Sequence, residues 1–238
     1  GLSGWDLGRG DHLKLRWGSG LLKPRSYSPL AGGVGGSSPD GGSFDLVVKV
    51  YPRNGSSAWL GGLTVGDKVE MSGPFPPLPE MKPRNDGGSI INIVCFGVGI
   101  TEVISVATAE LARSDVQRVT LLWANRRRAD TPLAAEVRAL RDAHDGRLVL
   151  KEAFSREAGG DFYGRVTAEM LRDAFGLGRA AALAEDAVRF LVVGDKPMIK
   201  STWATLEKLG VARERHELLQ KKGRLGMLRG LWALATRG

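Results

Sequence analysis

The sequence predicts a two-domain β + α/β fold, in which an N-terminal antiparallel β-barrel is followed by a C-terminal parallel-sheet α/β domain. Up to residue 80, short β-branched stretches alternate with turns rich in Gly, Pro and Ser, which is typical of a small barrel or sandwich. From Ser89 onward, strand patterns alternate with helical ones, which predicts a parallel sheet with helices on both faces. The predicted divisions are 1–80 for the barrel, 81–88 for a proline-rich connector, 89–211 for the α/β domain and 212–238 for a C-terminal extension.

The composition is that of a globular protein with an excess of basic residues. Of the 238 residues, 42% are hydrophobic and 25% are charged, and the formal net charge is +8. Such a charge favours an acidic partner, although an arginine-rich proteome explains it equally well. We predict no nucleic-acid partner. No run reaches the roughly 18 apolar residues that a membrane span needs.

Cysteine and histidine are scarce in the chain. The single cysteine, Cys95, rules out an intramolecular disulfide, and its place in an apolar stretch predicts an inert core thiol rather than a nucleophile. One cysteine and three histidines without ligand spacing predict that there is no metal site.

The first domain is predicted to consist of short extended segments joined by turns. Two prolines hold the second of these segments extended, and a long stretch of Gly, Ser, Pro and Asp predicts a hairpin loop. The predicted elements are strand 12–17, extended segment 21–30, loop 31–43, strand Phe44–Tyr51, a short helix or turn near Trp59–Leu63 and strand Lys68–Gly73.

In the second domain, strands and helices follow each other regularly. Thr131 and Thr167 are predicted N-caps, Pro132 suits a first helical position, and Gly210 is predicted to close the last helix. The predicted strands are 90–95, Val116–Trp123, Arg147–Lys151 and Val188–Val193, and the predicted helices are 101–112, Thr131–Ala143, Thr167–Phe175 and Pro197–Leu209.

Two turns lie at the carboxyl ends of predicted parallel strands, where such sheets bind their ligands. One is Gly97–Thr101, with Gly97 and Gly99 separated by one residue, and the other is Gly194–Met198. Free N–H groups and the helix dipole at such a turn attract anions. A Gly-x-Gly pair is less than a full dinucleotide fingerprint, so a turn that only needs tight packing stays an open alternative.

The segment Arg25-Ser26-Tyr27-Ser28-Pro29 carries a second set of candidates. In an extended chain, Arg25 and Tyr27 point to one face. Arg25 could then neutralise a diphosphate through its guanidinium fork, Tyr27 could offer an aromatic wall, and Ser28 could reach a ring heteroatom. A barrel edge with an ordinary surface arginine is the alternative.

Together these segments resemble the ferredoxin-reductase superfamily, and most of all NADH–cytochrome b5 reductases and the flavin portion of nitrate reductases. Residues 25–29 are similar to the flavin motif Arg-x-Tyr-Ser/Thr-Pro, and residues 97–102 stand where the family has Gly-Thr-Gly-Ile-Thr-Pro. The other matching segments are 44–51, 55–60, 65–67 with 73–74, 164–171 and 193–199. The resemblance extends from about Trp5 to Val211. Because the family has further barrel strands before the position of Trp5, we expect either an open barrel or one whose first strands precede this sequence.

The resemblance implies FAD in the first domain and NADH across the second, with hydride transfer to the flavin followed by single-electron transfer to a haem protein. It assigns catalytic roles to Ser28, near the reactive flavin nitrogen, and Thr101, between flavin and nicotinamide. The implied FAD residues are Arg25, Tyr27, Ser28, Val48, Lys49, Tyr51, Gly55, Ser56, Ser57 and Thr101. The implied NADH residues are Gly97, Gly99, Ile100, Arg126, Asp130, Gly194 and Met198.

Asp130 stands where the family has an acidic residue that disfavours a 2′-phosphate, which favours NADH over NADPH. The adjacent residues Arg126, Arg127 and Arg128 would instead attract that phosphate, so the choice stays open.

Several positions depart from the family pattern, mainly on the nicotinamide side: Val98, Glu102, Val193, Asp195 and Lys196. We therefore expect one of two functions. The first is an active reductase that delivers electrons to a haem protein. The second is a reductase-derived accessory subunit, weakly active or inactive, whose partners are neighbouring subunits of a larger complex, such as a mitochondrial respiratory one.

The extension 212–238 is predicted to be a basic amphipathic helix. Leu225, Leu228 and Leu231 fall at helical spacing among lysines and arginines. Such a helix suits a membrane surface or a groove on a partner, or it packs on its own domain. With the basic composition, it leads us to expect a location at the surface of a mitochondrial or other organelle membrane.

Overall fold

The computed structural model describes residues 12–17, 24–30, 44–51, 55–75, 88–144, 146–178 and 187–218. These residues form a three-stranded antiparallel sheet followed along the chain by a five-stranded parallel sheet. The two sheets confirm the predicted β + α/β fold class. The predicted loop 31–43, most of the connector and most of the C-terminal extension lie outside the described residues.

The N-terminal sheet consists of β1 (His12–Leu15), β2 (Arg25–Tyr27) and β3 (Met71–Phe75), and β1 lies in the middle. Leu13 and Leu15 of β1 are buried. A short helix, α1 (Gly55–Gly61), precedes β3. In the described residues this sheet is open and does not close into the predicted barrel.

The strand predicted over Phe44–Tyr51 is wrong for most of its length. Among the described residues, only Asp45 makes a ladder contact, an antiparallel bridge with Leu30. The N–H of Tyr51 donates instead to the Ser57 hydroxyl oxygen at 3.1 Å. The segment is thus rich in strand-forming residues, but in the part of the chain that the structure describes it has no neighbouring strand to pair with, and a strand needs both.

The parallel sheet contains β4 (Ile90–Phe96), β5 (Arg118–Asn125), β6 (Leu148–Phe154), β7 (Phe162–Tyr163) and β8 (Val188–Val193). Their order is β7-β6-β5-β4-β8, which places β4 between β5 and β8. The long apolar runs of β4 and β8 follow from burial on both faces.

Each face of this sheet carries its own apolar core. On one face, Ile91, Ile93 and Cys95 of β4 pack with α2 (Ile100–Leu111) and with Val137 of α3 (Ala134–Asp142). On the other face, Val94 packs with α4 (Ala168–Phe175) and α5 (Lys196–Lys208). The structure therefore has helices on both faces, as the alternating pattern predicts.

The helix ends test the predicted caps. Thr167 caps α4 by accepting the Met170 N–H at 3.3 Å, which confirms that prediction. The prediction for α3 is wrong, because this helix begins at Ala134 after Leu133 adopts a left-handed conformation with φ of 59°. Thr131 instead donates its hydroxyl to the Arg128 carbonyl oxygen, within a short 3₁₀ turn at Arg128–Asp130 that the sequence pattern did not indicate.

The last described residues pack on the α/β domain. After α6 (Arg213–His216), Leu218 donates its N–H to the Phe190 carbonyl oxygen of β8 at 2.8 Å. His216 is buried and its Nδ1 lies 3.0 Å from the Val188 carbonyl oxygen. Within the described residues, the structure contains no helix with the length and hydropathy needed to cross a membrane.

Candidate cofactor-binding cleft

A cleft of about 1310 Å³ lies between the N-terminal sheet and the carboxyl ends of the parallel strands. The segment Arg25–Ser28 lines one side and the Gly97–Gly99 turn with Thr101 lines the other. The volume exceeds the roughly 300–1,000 Å³ of a site for one small ligand. The structure thus brings together, in one large cavity, the two segments in which the sequence placed its strongest candidates.

On the N-terminal side, hydroxyl contacts join β2 to α1. The Tyr27 hydroxyl lies 3.5 Å from the Ser56 hydroxyl oxygen, and both Ser56 and Ser57 are buried. Because Ser57 also accepts the Tyr51 N–H, it fixes the segment that carries Val48 and Lys49 along the cleft wall.

Gly55 shows that the start of α1 has room only for a residue without a side chain. A Cβ at this position would lie 2.2 Å from the Trp17 indole ring. Gly55 itself does not line the cleft, but it lets the chain enter α1 directly under Trp17, and Ser56 and Ser57 then face the cavity. Gly55 therefore serves close packing against Trp17.

The diglycine turn on the opposite side is held by a buried tryptophan. Gly97 and Gly99 begin and end a 3₁₀ turn, and Gly97 has a φ of 55°, which favours glycine. Trp123 of β5 is fully buried and donates its indole N–H to the Gly97 carbonyl oxygen at 3.2 Å. A Cβ on Gly99 would lie 2.9 Å from a methyl group of Val193, so this glycine serves close packing.

The same tryptophan connects the turns after β4 and β5. In the orientation that satisfies the Asn125 amide, its oxygen shares the Trp123 indole N–H with the Gly97 carbonyl oxygen, at 3.1 Å from Nε1, and its nitrogen donates to the Asp130 carbonyl oxygen at 3.3 Å. Trp123 and Asn125 therefore fix the positions of both turns relative to each other.

Thr101 lines the cleft at the start of α2 and is 8% exposed. Its hydroxyl donates to the Val98 carbonyl oxygen at 3.1 Å, which orients the side chain toward the glycine turn. Glu102 follows it on the cleft wall. Burial raises the pKa of the Cys95 thiol well above its usual range, and the Glu102 carboxylate raises it further. Cys95 is therefore the inert core thiol that the sequence predicts.

After β8, Gly194 packs tightly against Phe96, since a Cβ on Gly194 would lie 2.9 Å from the Phe96 ring. Asp195 then caps α5 by accepting the Met198 N–H at 2.9 Å. Gly194, Asp195 and Met198 all line the cleft, and Met198 is 43% exposed.

Most of the predicted site residues line the cleft. Those that do are Arg25, Tyr27, Ser28, Val48, Lys49, Tyr51, Ser56, Ser57, Gly97, Gly99, Thr101, Arg126, Gly194 and Met198. Gly55, Ile100 and Asp130 do not line it. Ile100 is fully buried in the core beside Cys95. The individual roles of all these residues stay predictions.

Several residues that line the cleft were not identified as site residues from the sequence, above all Arg156 and Arg165. They follow the carboxyl ends of β6 and β7, as Arg126 follows that of β5. The signal that could have found Arg156 is its position a few residues after the predicted strand Arg147–Lys151, since parallel sheets bind ligands at the carboxyl ends of their strands. For Arg165 the signal is its place in the matching segment 164–171, because the strand before it, β7, was not predicted.

The charge of the cleft suits anionic ligands. Of the described residues, five cationic side chains (Arg25, Lys49, Arg126, Arg156 and Arg165) and two carboxylates (Glu102 and Asp195) line it. FAD and NADH both carry a diphosphate, so a cleft with excess positive charge, an aromatic wall at Tyr27 and a glycine turn fits both groups.

Two family models match the chain in tandem. An oxidoreductase FAD-binding domain matches residues 4–78, and an oxidoreductase NAD-binding domain matches residues 93–203. Each side of the cleft thus belongs to one of the two matched domains, and the predicted cofactors FAD and NADH are confirmed.

Curated relatives give the same assignment. NADH-cytochrome b5 reductase 1 from Cryptococcus neoformans is 29% identical over 198 residues, which is 80% of this chain and 64% of that protein. The protein of the same name from Aspergillus clavatus is 31% identical over 203 residues, which is 80% of this chain and 60% of that protein. The chain therefore spans slightly less than two thirds of the length of these relatives.

A solved structure supports the fold over most of the chain. The cytochrome b5 reductase domain of Ulva prolifera nitrate reductase superposes with a TM-score of 0.67 at 27% sequence identity. The alignment covers 87% of this chain and 82% of that domain.

Proposed function

Because the chain belongs to the superfamily of FAD- and NAD-binding oxidoreductases that includes the cytochrome b5 reductases, we propose that it carries reducing equivalents from NADH through FAD to a one-electron acceptor, a haem protein. The observation that carries this proposal is a cleft that residues of both matched domains line together. Two cofactors that exchange a hydride must lie in contact, and one cavity shared by both domains allows that contact.

Residues on the N-terminal side would hold the FAD. Arg25 would pair with the diphosphate, Tyr27 would pack on the flavin ring, and Ser56 and Ser57 would bind phosphate oxygens. Bound in this way, FAD would supply the chemistry that no side chain offers, since it accepts a hydride and releases electrons singly.

Residues of the parallel sheet would position the nicotinamide. Thr101 is well placed for this because its hydroxyl is already oriented by Val98 and its side chain faces the cleft. Gly99 and Gly194 keep the backbone close to the strand ends, where a dinucleotide can lie against it.

A second candidate function is an accessory subunit that keeps the fold but transfers electrons poorly. The observation that favours it is the pair of cleft carboxylates, Glu102 in the first turn of α2 and Asp195 at the N-cap of α5. Negative charge at this place opposes a dinucleotide diphosphate. In such a subunit the partners would be neighbouring chains of a complex, and a location at an organelle membrane would apply to either function.

Absorbance spectroscopy separates the two functions. The purified protein is expected to carry a yellow flavin that bleaches within seconds when NADH is added without oxygen. A flavin that stays oxidised would support the accessory subunit and contradict the reductase.

The flavin-binding residues can be tested with a matched pair of arginine variants. Arg25→Ala should lower the fraction of flavin retained after gel filtration, because a cation that pairs with the diphosphate is lost. Arg16→Ala is the control, since Arg16 is exposed, lies outside the cleft and pairs with Glu70 at 3.2 Å. Equal flavin retention in both variants would argue against the role of Arg25.

A further inference from the structure

A fully buried tryptophan lies beneath the turn that follows β4. Trp123 of β5 is the register partner of Cys95 of β4, and both side chains belong to the same apolar core. Because alternate residues of a strand point to the same face, this face leads from Cys95 to the turn that begins at Gly97. The Trp123 indole therefore reaches the Gly97 carbonyl oxygen, to which its N–H donates at 3.2 Å.

This hydrogen bond fixes the direction of one peptide group in the cleft wall. The peptide bond between Gly97 and Val98 is trans, so its N–H points opposite to its carbonyl. Since the carbonyl points to the buried indole, the Val98 N–H points away from Trp123 and from the core around it. Val98 lines the cleft, and its own carbonyl oxygen accepts from the Thr101 hydroxyl at 3.1 Å. The indole therefore sets the orientation of the turn that presents Thr101 to a ligand.

The same indole N–H also reaches the turn after β5. It is shared with the Asn125 side-chain oxygen at 3.1 Å, and the Asn125 side-chain nitrogen donates to the Asp130 carbonyl oxygen at 3.3 Å. Asn125 is 8% exposed, so its amide has little access to water. Buried polar groups that bond to one another are costly to leave unpaired. A continuous chain of hydrogen bonds thus connects the Gly97 carbonyl oxygen with the loop 126–130.

The two connected turns face different parts of the cleft. The turn after β4 carries Thr101, beside which the nicotinamide would lie, whereas the loop after β5 carries Arg126 into the cleft. A cation attracts the diphosphate of a dinucleotide rather than its uncharged dihydronicotinamide ring. One dinucleotide would therefore contact both turns at once, through different parts of its structure.

We propose that Trp123 and Asn125 are positioning residues that couple the two ends of the dinucleotide site. This inference rests on the proposed function in one respect, namely that the cleft binds a pyridine dinucleotide beside Thr101. A ligand that orders the loop after β5 fixes Asn125, which fixes the indole and with it the Gly97 carbonyl. The nicotinamide end then loses less conformational entropy when it binds, and by linkage the effect is the same in the opposite direction.

The coupling can be measured with the two parts of the dinucleotide as separate ligands. Adenosine diphosphate and nicotinamide riboside together contain all the groups of the oxidised dinucleotide, and the oxidised riboside cannot reduce the flavin. Each is titrated into the purified flavoprotein by calorimetry, alone and with the other at saturation. We expect each ligand to bind at least about fivefold more tightly when the other is present, which is the lower end of coupling between two sites.

Two tryptophan variants separate this coupling from packing. Trp123→Phe removes the indole N–H that both acceptors share and should remove most of the coupling. Trp203→Phe is the matched control, because Trp203 is also buried, packs on the other face of the sheet and does not line the cleft, and its indole N–H has no hydrogen-bond partner among the described residues. Both variants lose the same volume from a core, so both should lower the melting temperature. A direct attraction between the two ligands would be the same in both.

An asparagine variant tests the second connection. Asn125→Ala keeps the hydrogen bond between Trp123 and Gly97 but removes the contact to Asp130. It should retain the affinity for nicotinamide riboside alone and lose the increase that adenosine diphosphate produces. Trp123→Phe should also lower the affinity for the riboside alone, by about twofold to tenfold, the effect of one hydrogen bond.

Three results would overturn the inference. They are independent binding of the two ligands to the unmodified protein, equal coupling in Trp123→Phe and Trp203→Phe, and full coupling in Asn125→Ala. A tryptophan with a merely structural role would lower the melting temperature and leave the coupling unchanged.

The two proposals fail separately. If NADH bleaches the flavin but the two ligands bind independently, the reductase function stands and the coupling is overturned. If NADH leaves the flavin oxidised while the ligands bind cooperatively through Trp123, the coupling stands and the electron-transfer function is overturned. If neither ligand binds, the dinucleotide site is wrong and both proposals are overturned.

Discussion

At the residue scale, Cys95 illustrates how burial decides reactivity. The thiol is fully buried in β4, and both this burial and the Glu102 carboxylate raise its pKa. Since the thiolate is the reactive form, the native protein should resist alkylation at pH values where a free cysteine reacts readily. Labelling followed by mass spectrometry should show modification only after denaturant is added, and rapid modification of the folded protein would contradict the structure.

Gly99 should contribute to stability because it has no Cβ in a place where the surrounding atoms pack closely. A Cβ at this position would lie 2.9 Å from the Val193 methyl group and 3.4 Å from the Val193 backbone. Gly99→Ala should therefore lower the free energy of unfolding by about 1–3 kcal/mol, as overpacking does, and raise the KM for NADH. Denaturant titration and steady-state kinetics measure the two effects.

Gly62→Ala provides the control for this variant. A Cβ on Gly62 would lie 3.5 Å from the nearest atom, the Trp59 carbonyl oxygen, which is an ordinary contact. If both variants lowered the free energy of unfolding by the same amount, tight packing between the Gly97–Gly99 turn and β8 would not explain the loss in Gly99→Ala.

At the element scale, Asp195 at the start of α5 has a structural role and an electrostatic role, which two variants can separate. Its carboxylate caps the helix through the Met198 N–H and also adds negative charge to the cleft. Asp195→Ala should lower the free energy of unfolding by about 1 kcal/mol, as the loss of an N-cap does. Asp195→Asn should keep the cap and tighten NADH binding by about twofold to fivefold, the range for an exposed charge.

Thermal unfolding and NADH titration of the two variants test this separation. The same stability loss in Asp195→Asn as in Asp195→Ala would mean that the cap depends on charge rather than on the oxygen acceptor. Weaker NADH binding in Asp195→Asn would mean that the carboxylate helps the dinucleotide to bind.

The elements also show what sequence can and cannot predict. The strand Val188–Val193 and the cap at Thr167 were predictable because burial on both faces and capping are local signals. The segment Phe44–Tyr51 was not, because a strand depends on a partner that the local pattern does not contain. Thr131 has the right residue type for a cap, but the preceding 3₁₀ turn engages its hydroxyl first.

At the scale of the whole molecule, the cleft combines groups that lie far apart in sequence. Arg25 and Gly97 could be related through their motifs before the structure was known. Arg156 belongs to no matching segment, and Arg165 lies in the matching segment 164–171 but received no role from it. Their placement on the same side of the cleft as Arg126 depends on strand order. Motifs therefore identified the segments on the N-terminal side of the cleft, whereas topology was needed to bring together the charges on the opposite side.

The two halves of the molecule should also differ in stability. Among the described residues, the buried hydrophobic side chains before residue 88 are Leu13, Leu15 and Leu30, whereas two extensive cores cover the faces of the parallel sheet. Hydrophobic burial is the main source of folding free energy. We therefore expect two thermal transitions in the flavin-free protein, with the N-terminal half unfolding first.

Binding of FAD should move the first of these transitions. Arg25, Tyr27 and Ser56 line the cleft and lie in the less stable half. A ligand that binds only the folded state stabilises that state by about 2.7 kcal/mol when the free ligand concentration is 100 times the dissociation constant. For a domain of this size, that corresponds to a rise of roughly 10 °C or more. Differential scanning calorimetry with and without FAD measures the shift, and hydrogen exchange identifies the half that is protected. Arg25→Ala should reduce the shift and Arg16→Ala should not, whereas a single transition that FAD leaves unmoved would show that the cleft does not bind the flavin through the N-terminal half.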